Sequence, residues 1–268
     1  MNTSCHAVSP STDTTAAATR YSFRLATTPE EVQAAQRLRF QIFNLELNEG
    51  LAASYAIERD VDVFDSCCDH LIVVAETCEG PALQVVGTYR LQTGMIASLH
   101  HGYYSAQEFD FAPYEPLRAE LLELGRACVH PDHRNFSVLA LLWKGIAVYA
   151  KERNCRYLIG CSSITSQDPR IGAAVYNSLG ERHMCPEPLR TRPLPAYAFP
   201  LDIEAEPETT DHALASSPEP PRLLLAYLML GAKLCSPPAI DREFGTIDLL
   251  TMLDLDSVSP AIKSRLFL

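Results

Sequence analysis

Two rhythms of apolar positions run through the chain, one of helical spacing and one of extended runs, and their order predicts an alternating α/β protein. After Thr28-Pro29-Glu30-Glu31, which has the make-up of a helix start, Val32, Ala35, Gln36, Leu38, Arg39, Ile42 and Phe43 keep a 3.6-residue spacing and predict a helix over 30–46. A loop through Asp60-Val61-Asp62-Val63-Phe64-Asp65 follows. Apolar runs over 70–76 and 84–91, separated by Glu79-Gly80-Pro81, predict a hairpin. Residues 92–120 form a mixed connection with a short helix. The next strand spans 121–129 and stops at His130-Pro131-Asp132. Ser137 is placed to cap a helix to about residue 153, with Val138, Leu142, Ile146 and Tyr149 along one side, and 157–162 returns as a strand. Strand, helix, strand at this spacing implies a parallel crossover. Asp168-Pro169 opens a helix to about 179, residues 223–234 read as helical, and 249–253 brings a last strand back to the core. The expectation is a polar, disordered tail over 1–20 and a single α/β domain over 21–268, a mixed twisted sheet with helices on both faces.

Composition narrows the setting. At 268 residues and 47% hydrophobic, the chain can bury one sizeable core. No apolar run reaches the roughly 18 to 20 residues that span a bilayer, and residues 1–20 lack a secretory apolar segment, so a cytoplasmic enzyme is expected. Nine cysteines without paired spacing read as reduced thiols. A net charge of −11 argues against nucleic acid as partner, because phosphate binding needs a basic face. The charge is unevenly spread. Residues 126–156 carry six Lys/Arg against two acids, while 202–219 carry six acids and no Lys or Arg. The first suits an anionic partner or a solvated helix face, and the second, within an acidic segment over 202–220, reads as a disordered insertion.

Catalytic signatures are mostly absent. His130, His133 and the His100-His101 pair lack companion ligands at zinc-like spacing, so no metal is expected, and there is no nucleophile elbow, phosphate-binding glycine loop or dinucleotide fingerprint. What stands out is charge in apolar surroundings: Arg39 on its helix, Asp62 and Asp65 around Phe64, Arg90 at a strand end, and Glu123 with Arg126 inside the strand over 121–129. Buried charges need partners or a task.

These residues carry a resemblance. Arg39-x-x-x-Phe43, Asp62-x-x-Asp65, Gly87-x-x-Arg90-Leu91 and Glu123-x-x-Arg126 occur in the order and spacing of acyl-homoserine lactone synthases, which are GNAT folds using acyl carriers. The stretch from Glu123 through Cys128, Val129 and Arg134, and the blocks Ala226-Tyr227 through Gly231 and Ile240 through Asp248, resemble more closely the ornithine-lipid N-acyltransferases and long-chain N-acyl amino acid synthases. The usual coenzyme-A glycine signature is replaced here by His133-Arg134-Asn135-Phe136-Ser137, which favours a carrier-protein donor.

By this resemblance the protein is expected to move a long-chain acyl group, with or without a 3-hydroxyl, from acyl carrier protein onto the α-amine of an amino acid. Ornithine leads as acceptor, with glycine, tyrosine, putrescine or S-adenosylmethionine as alternatives, and a silent acyl-carrier or lipid-binding module as the non-enzymatic one. No cofactor stays bound, since 4'-phosphopantetheine arrives on the donor, and an acylated product is compatible with peripheral contact at the inner face of the membrane. Glu123 is expected as general base with Arg126 beside it, or as its ion-pair partner. Arg39 and Arg90 would clamp the acceptor carboxylate, Asp62 and Asp65 would face its ammonium, and Phe43 would line the pocket. Cys128 and Val129, on a strand splayed from its neighbour, would with Arg134, Asn135 and Ser137 receive the pantetheine and its phosphate.

Overall fold

The structure, a computed structural model, describes residues 19–76, 84–200 and 219–266. The expected tail, the Glu79-Gly80-Pro81 turn and the acidic insertion lie outside the described residues, apart from the few positions at their edges. In chain order the main elements are β1 (Arg20–Leu25), α1 (Pro29–Phe40), β2 (Asp69–Glu76), β3 (Gln84–Thr93), α2 (Gly94–Leu99), β4 (Leu121–Val129), α3 (Phe136–Glu152) and β5 (Tyr157–Ile164). They continue as α4 (Pro169–Leu179), α5 (Arg222–Leu230), β6 (Lys233–Leu234), β7 (Ala239–Asp241), β8 (Thr246–Asp254) and α6 (Pro260–Leu266). One mixed sheet runs β1-β2-β3-β4-β5-β8-β6, with β7 also on β8. The β4–β5 pairing is parallel and the others are antiparallel. This is the GNAT-like α/β architecture expected from the sequence.

Alternation along β2 sends successive side chains to opposite faces. Leu71 and Val73 meet the apolar face of α3, built from Val138, Leu142, Trp143, Ile146 and Tyr149. Ile72 and Val74 meet Ala35 of α1 on the other side. On that second face the connection between β3 and β4 contributes Tyr103, Phe109, Phe111 and Tyr114 against Leu121, Ile159, Leu250 and Met252.

Several strands run one to three residues beyond the expected bounds, and three differences bear on the site. The helix over 30–46 is α-helical only to Phe40, because Gln41–Glu46 widens into a π-helical turn that buries Ile42, Phe43 and Asn44. Helix α3 is capped by Asn135, whose side-chain oxygen accepts from Val138 N at 3.1 Å, so Ser137 is not the cap but lies in the first turn. The apolar stretch over 223–234 is helical only through Leu230, because Gly231 (φ 105°) reverses the chain and Lys233–Leu234 pairs with β8.

Candidate active site

Strand β4 keeps its parallel partner for only three residues: Leu121, Leu122 and Glu123 pair with Tyr157, Leu158 and Ile159, and the two strands then part. The separation begins where β4 is distorted. Arg126 has φ 50°, and the β3–β4 register shifts between Thr88 and Arg90, as in a bulge that bends its strand. On the β5 side Gly160 packs its Cα against the Leu124 carbonyl, where a Cβ would overlap the oxygen. The gap opens into a cavity of about 650 Å³ walled by β4, β5, the π-helical turn, the start of α3 and α5. A smaller hollow of about 60 Å³, bounded by Trp143 and Tyr227, continues between the strands.

Glu123 sits on the cavity wall at the point of parting and is only 4% exposed. Its two carboxylate oxygens accept the backbone N–H groups of Tyr104 and Ser105, each at 2.8 Å. Burial raises its pKa, and these amides oppose the rise without cancelling it. The alternative ion pair with Arg126 does not form. Arg126, buried to the guanidinium, reaches Asp60 at 3.2 Å and Asp62 at 3.0 Å, and lies over the rings of Tyr104 and Phe244 at 4.6 and 4.5 Å.

The other charges close into a network beside it. Arg39 grips Asp65 with two nitrogens at 2.8 and 2.7 Å and meets Asp60 at 2.8 Å. Arg90 meets Asp62 at 2.6 Å. Burial alone would push the Asp62 and Asp65 carboxyls up, but the neighbouring arginines hold both below the usual range. Three guanidinium groups are thus matched by three carboxylates in an almost dry setting. Arg39, Asp62 and Asp65 lie behind the cavity wall, in contrast to the direct clamp expected for them, whereas Arg90, Phe43 and Arg126 line it.

Cys128, Val129, Arg134 and Asn135 also line the cavity, at its α3 end, while Ser137 is exposed on the helix and does not. Arg134 is held by Glu46 through two bonds of 2.6 and 2.7 Å. Sequence reasoning passed over Asp60, Tyr104, Ser105, Glu49, Glu108 and Asp248. Asp248 carried a signal, an acid within the apolar run Ile247–Leu250; Tyr104 and Ser105 act through backbone amides and carried none.

A buried carboxylate set where two parallel strands part over a cavity is the arrangement expected of a GNAT-class acyltransferase, and residues 38–144 match the acetyltransferase (GNAT) domain family. The chain is 34% identical over 241 residues to an L-ornithine N(alpha)-acyltransferase of Agrobacterium fabrum, covering 88% of this chain and 81% of that protein. It is 35% identical over 240 residues to one of Brucella abortus, covering 88% and 85%. The chain belongs to the L-ornithine N(alpha)-acyltransferase family. Among solved structures it is similar to FeeM, an N-acyl amino acid synthase from uncultured soil microbes, at 12% identity and a TM-score of 0.49 over 92% of this chain and 96% of that one. No helix among the described residues is long and apolar enough to cross a membrane.

Proposed function

We propose that the protein transfers a long-chain fatty acyl group from acyl carrier protein to the α-amine of ornithine, in the cytoplasm, giving an N-acyl amino acid destined for membrane lipid. The observation that carries this reading is Glu123: a buried carboxylate with raised pKa on the wall of a cavity of about 650 Å³ that opens where β4 and β5 part. Glu123 takes a proton from the α-ammonium directly or through one water, the freed amine nitrogen attacks the thioester carbonyl carbon, and the tetrahedral intermediate breaks its C–S bond as a second proton passes from nitrogen to sulfur, releasing the amide and the pantetheine thiol. Backbone N–H groups on the parted edges of β4 and β5 supply the oxyanion donors. Arg90 and Arg126 offer positive charge to the acceptor carboxylate, and Arg39, Asp60, Asp62 and Asp65 hold those two guanidinium groups in place. The donor phosphate meets the start of α3 beside Arg134 and Asn135.

The test is direct. Purified protein is incubated with L-ornithine and a palmitoyl or 3-hydroxypalmitoyl thioester on either acyl carrier protein or coenzyme A, and the products are read by mass spectrometry. N-acylornithine formed faster from the carrier protein is the expected result. Acylation confined to S-adenosylmethionine or to neutral amino acids would overturn the assignment of the acceptor.

A further inference from the structure

The cavity wall carries both signs of charge. Arg134, paired with Glu46, lines it beside the start of α3, while Glu49 and Asp248 line it without a cation beside them. Behind Asp248 lies Glu108, and one oxygen from each, together with Cys161 Sγ, falls within 4.8 Å of the others. Glu49, Glu108 and Asp248 are 7, 1 and 3% exposed. Among the described residues none of the three has an ion-pair partner: Glu49 is met only by the Thr165 hydroxyl, Asp248 by the Ser163 and Thr246 hydroxyls and by Glu108, and one oxygen of each carboxyl, Glu49 Oε1, Glu108 Oε2 and Asp248 Oδ1, is buried without a partner of good geometry. Nearby Arg126 is engaged by Asp60 and Asp62. Buried carboxylates with no cation beside them are costly, and an ammonium group on the cavity side of Glu49 and Asp248 would supply both the counter-charge and the missing donors.

Their position relative to Glu123 gives the ammonium an origin. Ser105 donates its backbone N–H to Glu123, Cys161 Sγ donates to Ser105 Oγ at 3.4 Å, and Cys161 faces Glu108 and Asp248. The proposed base and the acid pocket are therefore separated by the span of Ser105 and Cys161, on one cavity wall. We propose that Asp248 and Glu49, backed by Glu108, form the subsite for the terminal ammonium of a diamino-acid acceptor, so that selection for ornithine rests on its side-chain charge. This rests on the assignment of ornithine as acceptor. An α-amine beside Glu123 then leaves the side chain directed at Asp248, and a neutral side chain of the same length would leave these buried carboxylates without a counter-charge, which a site of this kind rejects strongly.

The experiment compares L-ornithine with L-norvaline, which has the same carbon chain without the terminal amine, as acceptors for the full chain and for Asp248→Asn and Glu49→Gln, using one acyl thioester throughout. The unsubstituted protein should favour ornithine by about 10²-fold or more in kcat/KM, and each substitution should shrink that ratio by about 10-fold or more, chiefly through KM for ornithine. Thermal unfolding identifies a variant that fails to fold, and Glu49→Gln, nearer the cavity surface, stands in if Asp248→Asn does. Calorimetric titration of ornithine and norvaline into the unsubstituted protein gives the same discrimination as a ratio of Kd values, independent of turnover. A ratio that survives both substitutions overturns the subsite while leaving ornithine as acceptor. No acylation of ornithine by the unsubstituted protein overturns the acceptor assignment, and the subsite with it. Rates that vanish with a chelator and return with Mg²⁺ or Mn²⁺, and that lose this dependence in Asp248→Asn, would make the pocket a metal site and overturn the proposal.

Discussion

Glu123 is held between opposing effects: burial disfavours its charge, while the Tyr104 and Ser105 amides favour it, and the balance leaves its pKa raised. A base of this kind is active when deprotonated, so kcat/KM should rise with pH through a pKa above the ordinary carboxylate range, and Glu123→Gln should erase that limb. The substitution should cost about 10²- to 10⁴-fold in kcat. It should also cost about 1–3 kcal/mol of stability, because the new NH₂ must face one of two backbone N–H donors. Unfolding and single-turnover transfer on one preparation separate the two effects, and wild-type turnover per folded molecule would remove Glu123 from the chemistry. In the network beside it, Arg126→Gln leaves Asp60 facing Arg39 alone and Asp62 facing Arg90 alone. A loss of about 3–5 kcal/mol in denaturant unfolding is expected, as for a buried pair with one partner removed. Of these residues Arg39, Asp62, Asp65, Arg90, Glu123 and Arg126 were legible in the sequence, because each interrupts an apolar pattern. Asp60 was not: it heads the same run but, unlike Asp62 and Asp65, does not flank Phe64, and only the fold turns it inward.

Elements were legible wherever a long pattern repeated, as in α3, β2, β4 and β5, and not where pairing alone creates the structure. Strand β1 follows a polar tail and is half-buried along most of its length at the sheet edge, and β6 and β7 have two and three residues whose extended form is imposed by β8. The π-helical turn escaped for another reason, since six residues are too few for apolar spacing to tell it from a continued α-helix; within it Phe43 packs against Phe244 with 5.5 Å between ring centres. The parting of β4 from β5 was expected from the resemblance, but its local cause lies in the β4 bulge and Gly160. Gly160→Ala would drive a methyl into the Leu124 carbonyl and should cost about 1–3 kcal/mol, the range for overpacking. Because the same contact sets the width of the gap, acyl transfer should fall with stability. A variant as stable as its parent would show that the strands can slide apart without penalty.

At the scale of the molecule, charge is arranged along the cavity rather than summed, and this has two consequences. Burial raises the pKa of Glu49, Glu108 and Asp248. A carboxyl whose folded pKa exceeds its unfolded value contributes stability that is complete below the unfolded pKa and lost as pH climbs through the folded one. Without acceptor, the protein should weaken from mildly acidic to neutral pH, and Glu108→Gln should flatten the slope; an unchanged slope in denaturant unfolding across that range would assign the effect elsewhere. The cavity wall around Arg134 governs the donor. The Arg134–Glu46 pair is exposed, so it contributes on the order of 1 kcal/mol or less and yields readily to an incoming phosphate. Arg134 and exposed Lys144 belong to the stretch over 126–156 that is basic within a protein of net charge −11. An acidic carrier protein should be drawn to the exposed Arg134 and Lys144, and coenzyme A, which offers less surface, much less so. Arg134→Glu combined with Lys144→Glu should raise KM for the acyl carrier protein by about 10-fold or more with little change in kcat, and added salt should do the same to the unsubstituted protein. Carrier and coenzyme-A thioesters reacting at equal rates, indifferent to salt and to both substitutions, would exclude a docked carrier as the donor.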